Sequence, residues 1–377
     1  MSPSSRGKTS PRKVSRPVSR DPSSNDSVSA GPVNAGSLEL VDALYATAGL
    51  VRNLRGNAGG VTRRVRLERA EPRELFRPAP ARQVASNGVE WLRVPGWERM
   101  RWLWHGFSTR RVGLSRAYRA QDFPGELGEL NLGFTAADSR EAVTENRLLL
   151  AEAITGNRET PLIPVRQIHS SVVRLAGNSN AACAQPCKGD GLMTDTPGLL
   201  LAIQTADCIP VLVADRKQRV VAAFHAGWRG TAKRIVESGV GRMRLEYGSR
   251  SQDMIAAIGP GIGACCYAVG EEVFSSFESQ FTYFADLFCE VYDSDPVRTR
   301  YPMLFLTQRA PGHSSIGPGL HLDLIEANRR QLLAAGLTAR NIKVVGGCTS
   351  CQRDLFFSHR SSKGHAGRMM AVIGVRP

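Results

Sequence analysis

Residues 199–230, LLLAIQTADCIPVLVADRKQRVVAAFHAGWRG, carry three apolar runs separated by two short polar breaks. Runs this apolar read as buried strands rather than as one face of a surface element. Whatever the chain folds into must therefore supply a sheet interior for three successive strands. The polar break "DRKQR" turns the second run back on the third, giving a hairpin of residues 209–214 and 219–224. Folded about Lys217, residue i faces residue j with i + j near 434, so His225 lies opposite Ile209 and beside Cys208. The turn is at the far end, which leaves Cys208 and His225 together at the open end.

Around this hairpin the chain alternates between strand-like and helix-like segments from about Val89 onward. "VEWLRVP" and "WLWHGFSTR" read as strands, and "PLIPVRQIHSSVVRLAG" as a strand or a strand pair interrupted by His169. "AADSREAVTENRLLLAEAITG" reads as a helix with Asp138 as N-cap and Glu141 three residues on. "TAKRIVESGVGRMRLEYG", "EEVFSSFESQF" and "LDLIEANRRQLLAAGL" are further helices, and "DMIAAIGPGI", "NIKVVGG" and "RMMAVIGV" further strands. Residues 284–320 read as an irregular surface insertion. There is no regular βαβ rhythm, so the class is α+β with mixed sheets.

Residues 1–36 are Ser, Pro, Arg and Gly with almost nothing apolar, and cannot offset the entropy of ordering. Residues 37–50 could form a short helix, and 51–85 are Arg-rich without a clear period. The expected organisation is a basic, largely disordered extension over 1–88 and a single catalytic domain over 89–377. The first 20 residues have no acids, which leaves open a transit peptide or a start codon placed too far upstream. The net charge of +15 is shared: residues 1–100 hold 17 Lys and Arg against 9 Asp and Glu, a net of +8. No aromatic-interleaved basic motif accompanies the charge, so a solvated tail is favoured over nucleic-acid binding. No apolar stretch approaches the ~18 residues of a membrane span. Eight cysteines in 377 residues are too few for a disulfide scaffold, and a reduced, cytoplasmic protein follows. No exposed apolar helix stripe stands out, so a monomer is expected.

A thiolate beside an imidazole suits a soft transition-metal site or a Cys–His nucleophile pair. His169, in "VRQIHSSVV", is a third candidate. With Cys208 and His225 it makes a His₂Cys set, the ligand count of a catalytic rather than a structural zinc. "CTSC" at 348–351 has C-x-x-C spacing, but no second pair follows at zinc-finger spacing, since Cys183 and Cys187 are separated by three residues. It reads as structural or incidental. "GPGIGACC" lacks the lysine of a P-loop and reads as a tight turn lining the pocket, with Cys265 and Cys266 near it.

The blocks "HGFSTR", "NLGF", "RQIHSSVV", "GDGLMTD", "QTADCIPVLVAD", "AAFHAGWRGTAKRIV", "IGPGIGACCYAVGEEV", "LDLIEANRRQLLAAG" and "FFSHRSSKGHAGRMMAVI" occur in this order. Together they resemble the family once called multicopper polyphenol oxidases or laccase-domain proteins. That family is now described as purine nucleoside phosphorylases with adenosine deaminase activity, and in bacteria also as peptidoglycan editing factors. The resemblance spans about residues 90–377. It implies a layered α/β sandwich, two mixed sheets with helices outside. It also implies a zinc site, with copper in some members, on His169, Cys208 and His225. Arg110 matches a substrate- or phosphate-contacting arginine. Ser170 stands where glycine is usual, residues 284–320 look longer than the usual connection, and the first 90 residues have no counterpart.

Seven histidines with no H-x-H pair cannot feed a four-copper laccase, which needs on the order of ten. Phosphorolysis of adenosine, inosine, guanosine or methylthioadenosine needs a cationic phosphate site, for which Arg110 and Arg229 are candidates. Arg229 could equally brace the HAGWRG turn. Deamination needs an acid/base beside the metal, and Asp207 is the natural candidate, or else a residue orienting a ligand. The zinc deaminase signature is absent. Asp190 is a candidate for ordering the site or contacting substrate. His105 could lie near the pocket, and His359 and Arg368 contact substrate or pack. The alternatives are a Cys–His hydrolase acting on peptidoglycan precursors, with Cys208 as nucleophile, and a single-copper polyphenol oxidase.

Overall fold

The computed structural model describes residues 51–55, 62–66, 68–69, 82–118, 128–177, 187–291 and 319–377. All of them belong to one compact unit, Gly49–Pro377. The helix expected over 37–50 and Cys183 lie outside the described residues.

Two six-stranded sheets form the body. Their strands in chain order are β1 (Arg82–Val84), β2 (Glu90–Leu92), β3 (Leu103–Ser108), β4 (Leu162–Pro164), β5 (Val173–Leu175) and β6 (Gly191–Thr194). There follow β7 (Leu200–Thr205), β8 (Ile209–Asp215), β9 (Val221–Ala226), β10 (Met254–Ile258), β11 (Ile342–Val344) and β12 (Met369–Val375). The first sheet has the order β5-β6-β9-β8-β10-β11 and the second β1-β2-β3-β12-β7-β4. Both are mixed: β5–β6, β10–β11 and β4–β7 pair in parallel, and the other neighbours are antiparallel. The β1–β2 hairpin straddles position 88.

Helices α1 (Arg140–Thr155), α2 (Trp228–Ala232), α3 (Ile235–Tyr247), α4 (Glu271–Glu278) and α5 (Leu324–Ala334) cover the outer faces of the sheets. The strand sequences show why. Along β7, Leu201 and Ile203 pack between the sheets against Leu212 and Ala223, while Leu200 and Ala202 face Leu150 and Ile154 of α1. Along β8, Leu212 and Ala214 face the second sheet, and Val211 and Val213 join the core beneath α3 and α5. A strand covered on both faces has no polar side to show, which is why the 199–230 run is apolar throughout. Each such Leu or Ile contributes roughly 1.5–3 kcal/mol by leaving water.

Several sequence expectations shift. The central hairpin pairs Pro210 with His225 and Ile209 with Ala226, so i + j is 435, one more than expected. Asp215 pairs with Val220, and its Oδ1 accepts the amides of Lys217 and Gln218, closing a four-residue loop rather than a five-residue turn. Ser139, not Asp138, caps α1, accepting the Ala142 amide on Oγ, while Asp138 accepts the Ser139 amide and the Asn131 side chain. The helix expected over 231–248 breaks at Arg234, whose φ is 56°. Residues 284–320 are not irregular at their ends: Phe288–Val291 and Gly319–Leu322 form an antiparallel pair, anchored by buried Phe284, Leu287, Phe288 and Leu322. Residues 292–318 lie outside the described residues.

Candidate metal centre

Two segments of chain change sheets at the same end of the sandwich. β7 leaves the second sheet at Thr205, and β8 enters the first at Ile209. The residues between them include Asp207 and Cys208. β4 and β5 make the same crossing, and the loop between them carries His169. His169 therefore does not interrupt a strand as expected. It sits in a loop with φ of 56°, and Asp207 is likewise left-handed at φ 89°. His225 is the penultimate residue of β9, on the rim of the same opening. One ligand atom from each of His169, Cys208 and His225 lies within 4.8 Å of the others. The two imidazoles meet edge to face at 5.1 Å.

Gly227 makes room for this. A Cβ there would stand 2.8 Å from Cys208 Sγ and 3.5 Å from His169 Cδ2. The first glycine of the HAGWRG turn is thus a close-approach glycine.

Asp190 organises the rest. It is fully buried. Its Oδ1 accepts from His169 N at 3.0 Å and from His225 Nδ1 at 2.9 Å. Its Oδ2 accepts from Ile168 N at 3.2 Å, Ser170 N at 2.6 Å and Ser170 Oγ at 2.7 Å. Those bonds hold the left-handed loop in place. They also fix His225 with Nδ1–H toward the carboxylate and Nε2 toward the thiol, the usual carboxylate–histidine support of a metal ligand. Burial resists ionisation of Asp190, but the His225 and Ser170 hydrogen bonds outweigh it and hold the carboxyl well below its usual range. Nothing remains of Asp190 for a substrate. Its place is behind His225, not in the pocket.

Burial alone would raise the Cys208 thiol, yet the neighbouring His225 and His169 bring it down to about 6. Burial would lower His225, and the Cys208 thiolate and Asp190 instead carry it up to about 9. A preformed thiolate between two imidazoles, one braced by a carboxylate, is a fitting donor set for zinc or copper.

Asp207 lies against this centre, but both carboxylate oxygens are engaged. Oδ1 accepts from Thr349 Oγ1 and Oδ2 from Arg360 N, each at 2.6 Å. Its carbonyl accepts from Ile262 N at 2.8 Å. Asp207, the residue before Cys208, is thus tied to three loops.

A cleft of about 600 Å³ opens over the centre. Arg166, Arg360 and Arg368 give its wall positive charge, and Tyr267 adds an aromatic surface. Arg360 lies 5.2 Å from the Tyr267 ring. The Arg166 guanidinium makes no ion pair among the described residues. Arg368 and His359, for which the sequence allowed either packing or substrate contact, both line the cleft. Gln167 lines it too, and clasps the backbone of Gln204 through both side-chain atoms.

Other candidates stand apart from it. Arg110 is held by the Glu129 carboxylate and the carbonyls of Arg353 and Tyr118, stacked on Phe357. Arg229 lies on α2, half exposed, over the ring of Trp228 and 3.6 Å from Glu272. Neither lines the cleft. His105 is buried on β3 with its ring edge to Trp97, away from the cleft. Sequence reasoning passed over Arg166, Gln167, Tyr267 and Arg360. Each stands within three residues of His169, Cys266 or His359, and that adjacency was the available signal.

A family model described as multi-copper polyphenol oxidoreductase laccase matches residues 104–376. A purine nucleoside phosphorylase of Bacteroides thetaiotaomicron is 33% identical over 275 residues, 71% of this chain and 90% of that protein. An adenosine deaminase, RL5, from an unknown prokaryotic organism is 31% identical over 250 residues, 65% of this chain and 86% of that protein. Among solved structures, YlmD from Geobacillus stearothermophilus superposes with a TM-score of 0.62 at 33% identity, covering 79% of this chain and all of that one.

Proposed function

The chain belongs to the multi-copper polyphenol oxidoreductase laccase family, and from that footing we propose that it is a metal-dependent purine nucleoside phosphorylase that also deaminates adenosine. The observation that carries this is the cationic cleft standing directly over the His169–Cys208–His225 cluster. Its ~600 Å³ falls in the range of small-molecule sites and suits a nucleoside with phosphate.

His169, Cys208 and His225 would hold the ion, zinc in preference to copper. When bound it would supply Lewis-acid polarisation of a substrate oxygen or the acidification of a water. The chain's own residues do the rest. In phosphorolysis a phosphate oxygen attacks C1′ of the ribose as the bond to the purine nitrogen breaks. Negative charge stays on the phosphate and builds on the leaving base. Arg166, Arg360 and Arg368 face that charge from fixed positions, the kind of preorganised stabilisation that costs no reorganisation during reaction. Tyr267 offers its ring to the base. Asp207 and Asp190 act through what they position: Asp207 the Cys208 corner and the Arg360 amide, Asp190 the two imidazoles. Arg110 and Arg229 fit bracing roles.

One observation favours a second reading. Cys208, His225 and Asp190 form a thiolate–imidazole–carboxylate chain, the arrangement of a cysteine nucleophile. His169 is superfluous in that scheme and necessary in a His₂Cys centre.

The test uses the full chain and its Cys208→Ala variant, each incubated with adenosine or inosine and inorganic phosphate, products separated by chromatography. Wild type should yield ribose-1-phosphate and free base, and inosine from adenosine. The variant should lose turnover together with one equivalent of metal. Wild type that holds its metal yet leaves both nucleosides intact would refute the proposal.

A further inference from the structure

The structure holds a second cluster of metal-ligating atoms, outside the cleft. The Sγ atoms of Cys265, Cys266, Cys348 and Cys351 all lie within 4.8 Å of one another. The fold brings them there. β10 and β11 are parallel neighbours, with Ile258 opposite Val344, so the loops that follow leave the sheet side by side. The offset in that register is 86 residues, and the same offset sets Cys265 against Cys351, with sulfurs 3.5 Å apart. Cys266 Sγ is 3.4 Å from Cys351 Sγ. Gly261 bridges Cys348, and Thr349 N donates to Gly261 O at 3.0 Å, which locks the two loops together.

We propose that these four cysteines form a mononuclear tetrathiolate site for a thiophilic divalent cation, zinc above all. The sulfur spacing carries this. With Zn–S bonds of about 2.3 Å, the sulfurs of a tetrahedral site stand roughly 3.8 Å apart. A disulfide would draw two of them to about 2.0 Å. An iron–sulfur cluster would push its thiolates well beyond the observed spread, because several iron and sulfide atoms lie between them. Four sulfurs that share one sphere of this size leave room for a single ion at its centre.

The surroundings support an ion rather than four packed thiols. Gly263 N donates to Cys348 Sγ at 3.3 Å, the backbone-to-sulfur bond that favours thiolate. A Cβ at Gly263 would come 3.2 Å from Cys265 Sγ and 3.3 Å from Cys348 Cβ. The loop thus approaches the sulfurs more closely than a side chain would comfortably allow.

The site's role follows from what its loops hold. Thr349, between the two cysteines of C-x-x-C, donates its hydroxyl to Asp207, the residue before Cys208. Tyr267, directly after Cys266, lines the cleft. An ion here would staple the two loops that support one wall of the cleft. Unlike the His169–Cys208–His225 set, it has four protein ligands and no open position, so it is structural. This inference does not depend on the nucleoside reading.

The experiment compares metal content per chain by mass spectrometry in wild type, His169→Ala and Cys265→Ser/Cys351→Ser. The expected values are two, one and one. Cobalt(II) loaded in place of zinc should give an intense thiolate charge-transfer band that keeps most of its intensity in His169→Ala and falls to the contribution of the single Cys208 thiolate in the cysteine variant. The wild-type chain alone provides a check that does not require the variant to fold. With N-ethylmaleimide and peptide mass spectrometry, exposed Cys187 should react at once, whereas Cys265, Cys266 and Cys351 should stay protected until a chelator is added. One metal per chain in wild type, lost only with His169→Ala, would overturn the proposal. So would alkylation of the cluster at a rate that chelator leaves unchanged.

Discussion

Three side chains meet at Cys208, and each is held by a neighbour that never touches the cleft. Gly227 is one such neighbour. Gly227→Ala drives a methyl into Cys208 Sγ at 2.8 Å, and should abolish metal retention at that centre while the far-ultraviolet circular dichroism stays native. Asp190 is the other. Asp190→Asn places an amide NH₂ among donors from 168–170 and takes the carboxylate from His225. Metal affinity should fall about 10- to 100-fold, read by competition with a chromophoric chelator. An affinity unchanged in Asp190→Asn would show that His225 is oriented by something else. Much of this centre was legible at the level of residues. Cys208 and His225 fall at strand ends, and His169 lies in a block of similar apolar character. The roles of the carboxylates were less so. Asp190 was offered as ordering the site or contacting substrate, and the choice stayed open because sequence cannot show that five donors already fill its two oxygens.

The elements place these residues. The sheet-switching corners at 164–173 and 205–209 put His169 and Cys208 at one end of the sandwich, and β9 ends there too. The apolar runs made the strands legible, since burial on both faces leaves no other reading of them. The hairpin register was missed by one residue because it depends on whether the loop closes at Asp215 or beyond. That choice rests on the Asp215 side chain accepting two loop amides. Of the Arg166–Arg360–Arg368 wall the sequence offered only Arg368, as a residue that packs or contacts substrate. Those arginines come from loops some 200 residues apart that converge only after the two sheets stack. Helix packing yields a prediction of its own. Gly239, in α3, lies against the Phe224 ring of β9, and a Cβ there would come within 2.4 Å of it. Gly239→Ala should destabilise the chain by about 1–3 kcal/mol despite the better helix propensity of alanine, measured by urea unfolding. A stabilised variant would mean that α3 does not pack this closely.

For the whole molecule, acid stability carries a signature of the second sheet. Burial, reinforced by Arg93, depresses the His105 imidazole from 6.5 to about 4 in the folded chain. The unfolded chain takes up that proton near pH 6.5 and the folded chain does not, so stability falls as pH drops from 6.5 toward 4 and levels off below. The loss from this residue is at most about 3 kcal/mol. In His105→Phe the fall in stability between pH 7 and 4.5 should be smaller than in wild type, and equal slopes would show that His105 contributes nothing to it. No helix among the described residues is long and apolar enough to cross a membrane. What the chain presents instead is a cationic cleft at one end of a four-layer sandwich, above His169, Cys208 and His225, which two sheet crossings and a strand end bring together. The most direct test of that claim is a crystal structure of the full chain with diffraction recorded on either side of the zinc absorption edge. An anomalous peak bonded to His169, Cys208 and His225 at the floor of the cleft is the expected result. Cys208 free of metal in a crystal whose zinc is found elsewhere, or covalently joined to a substrate fragment, would contradict it.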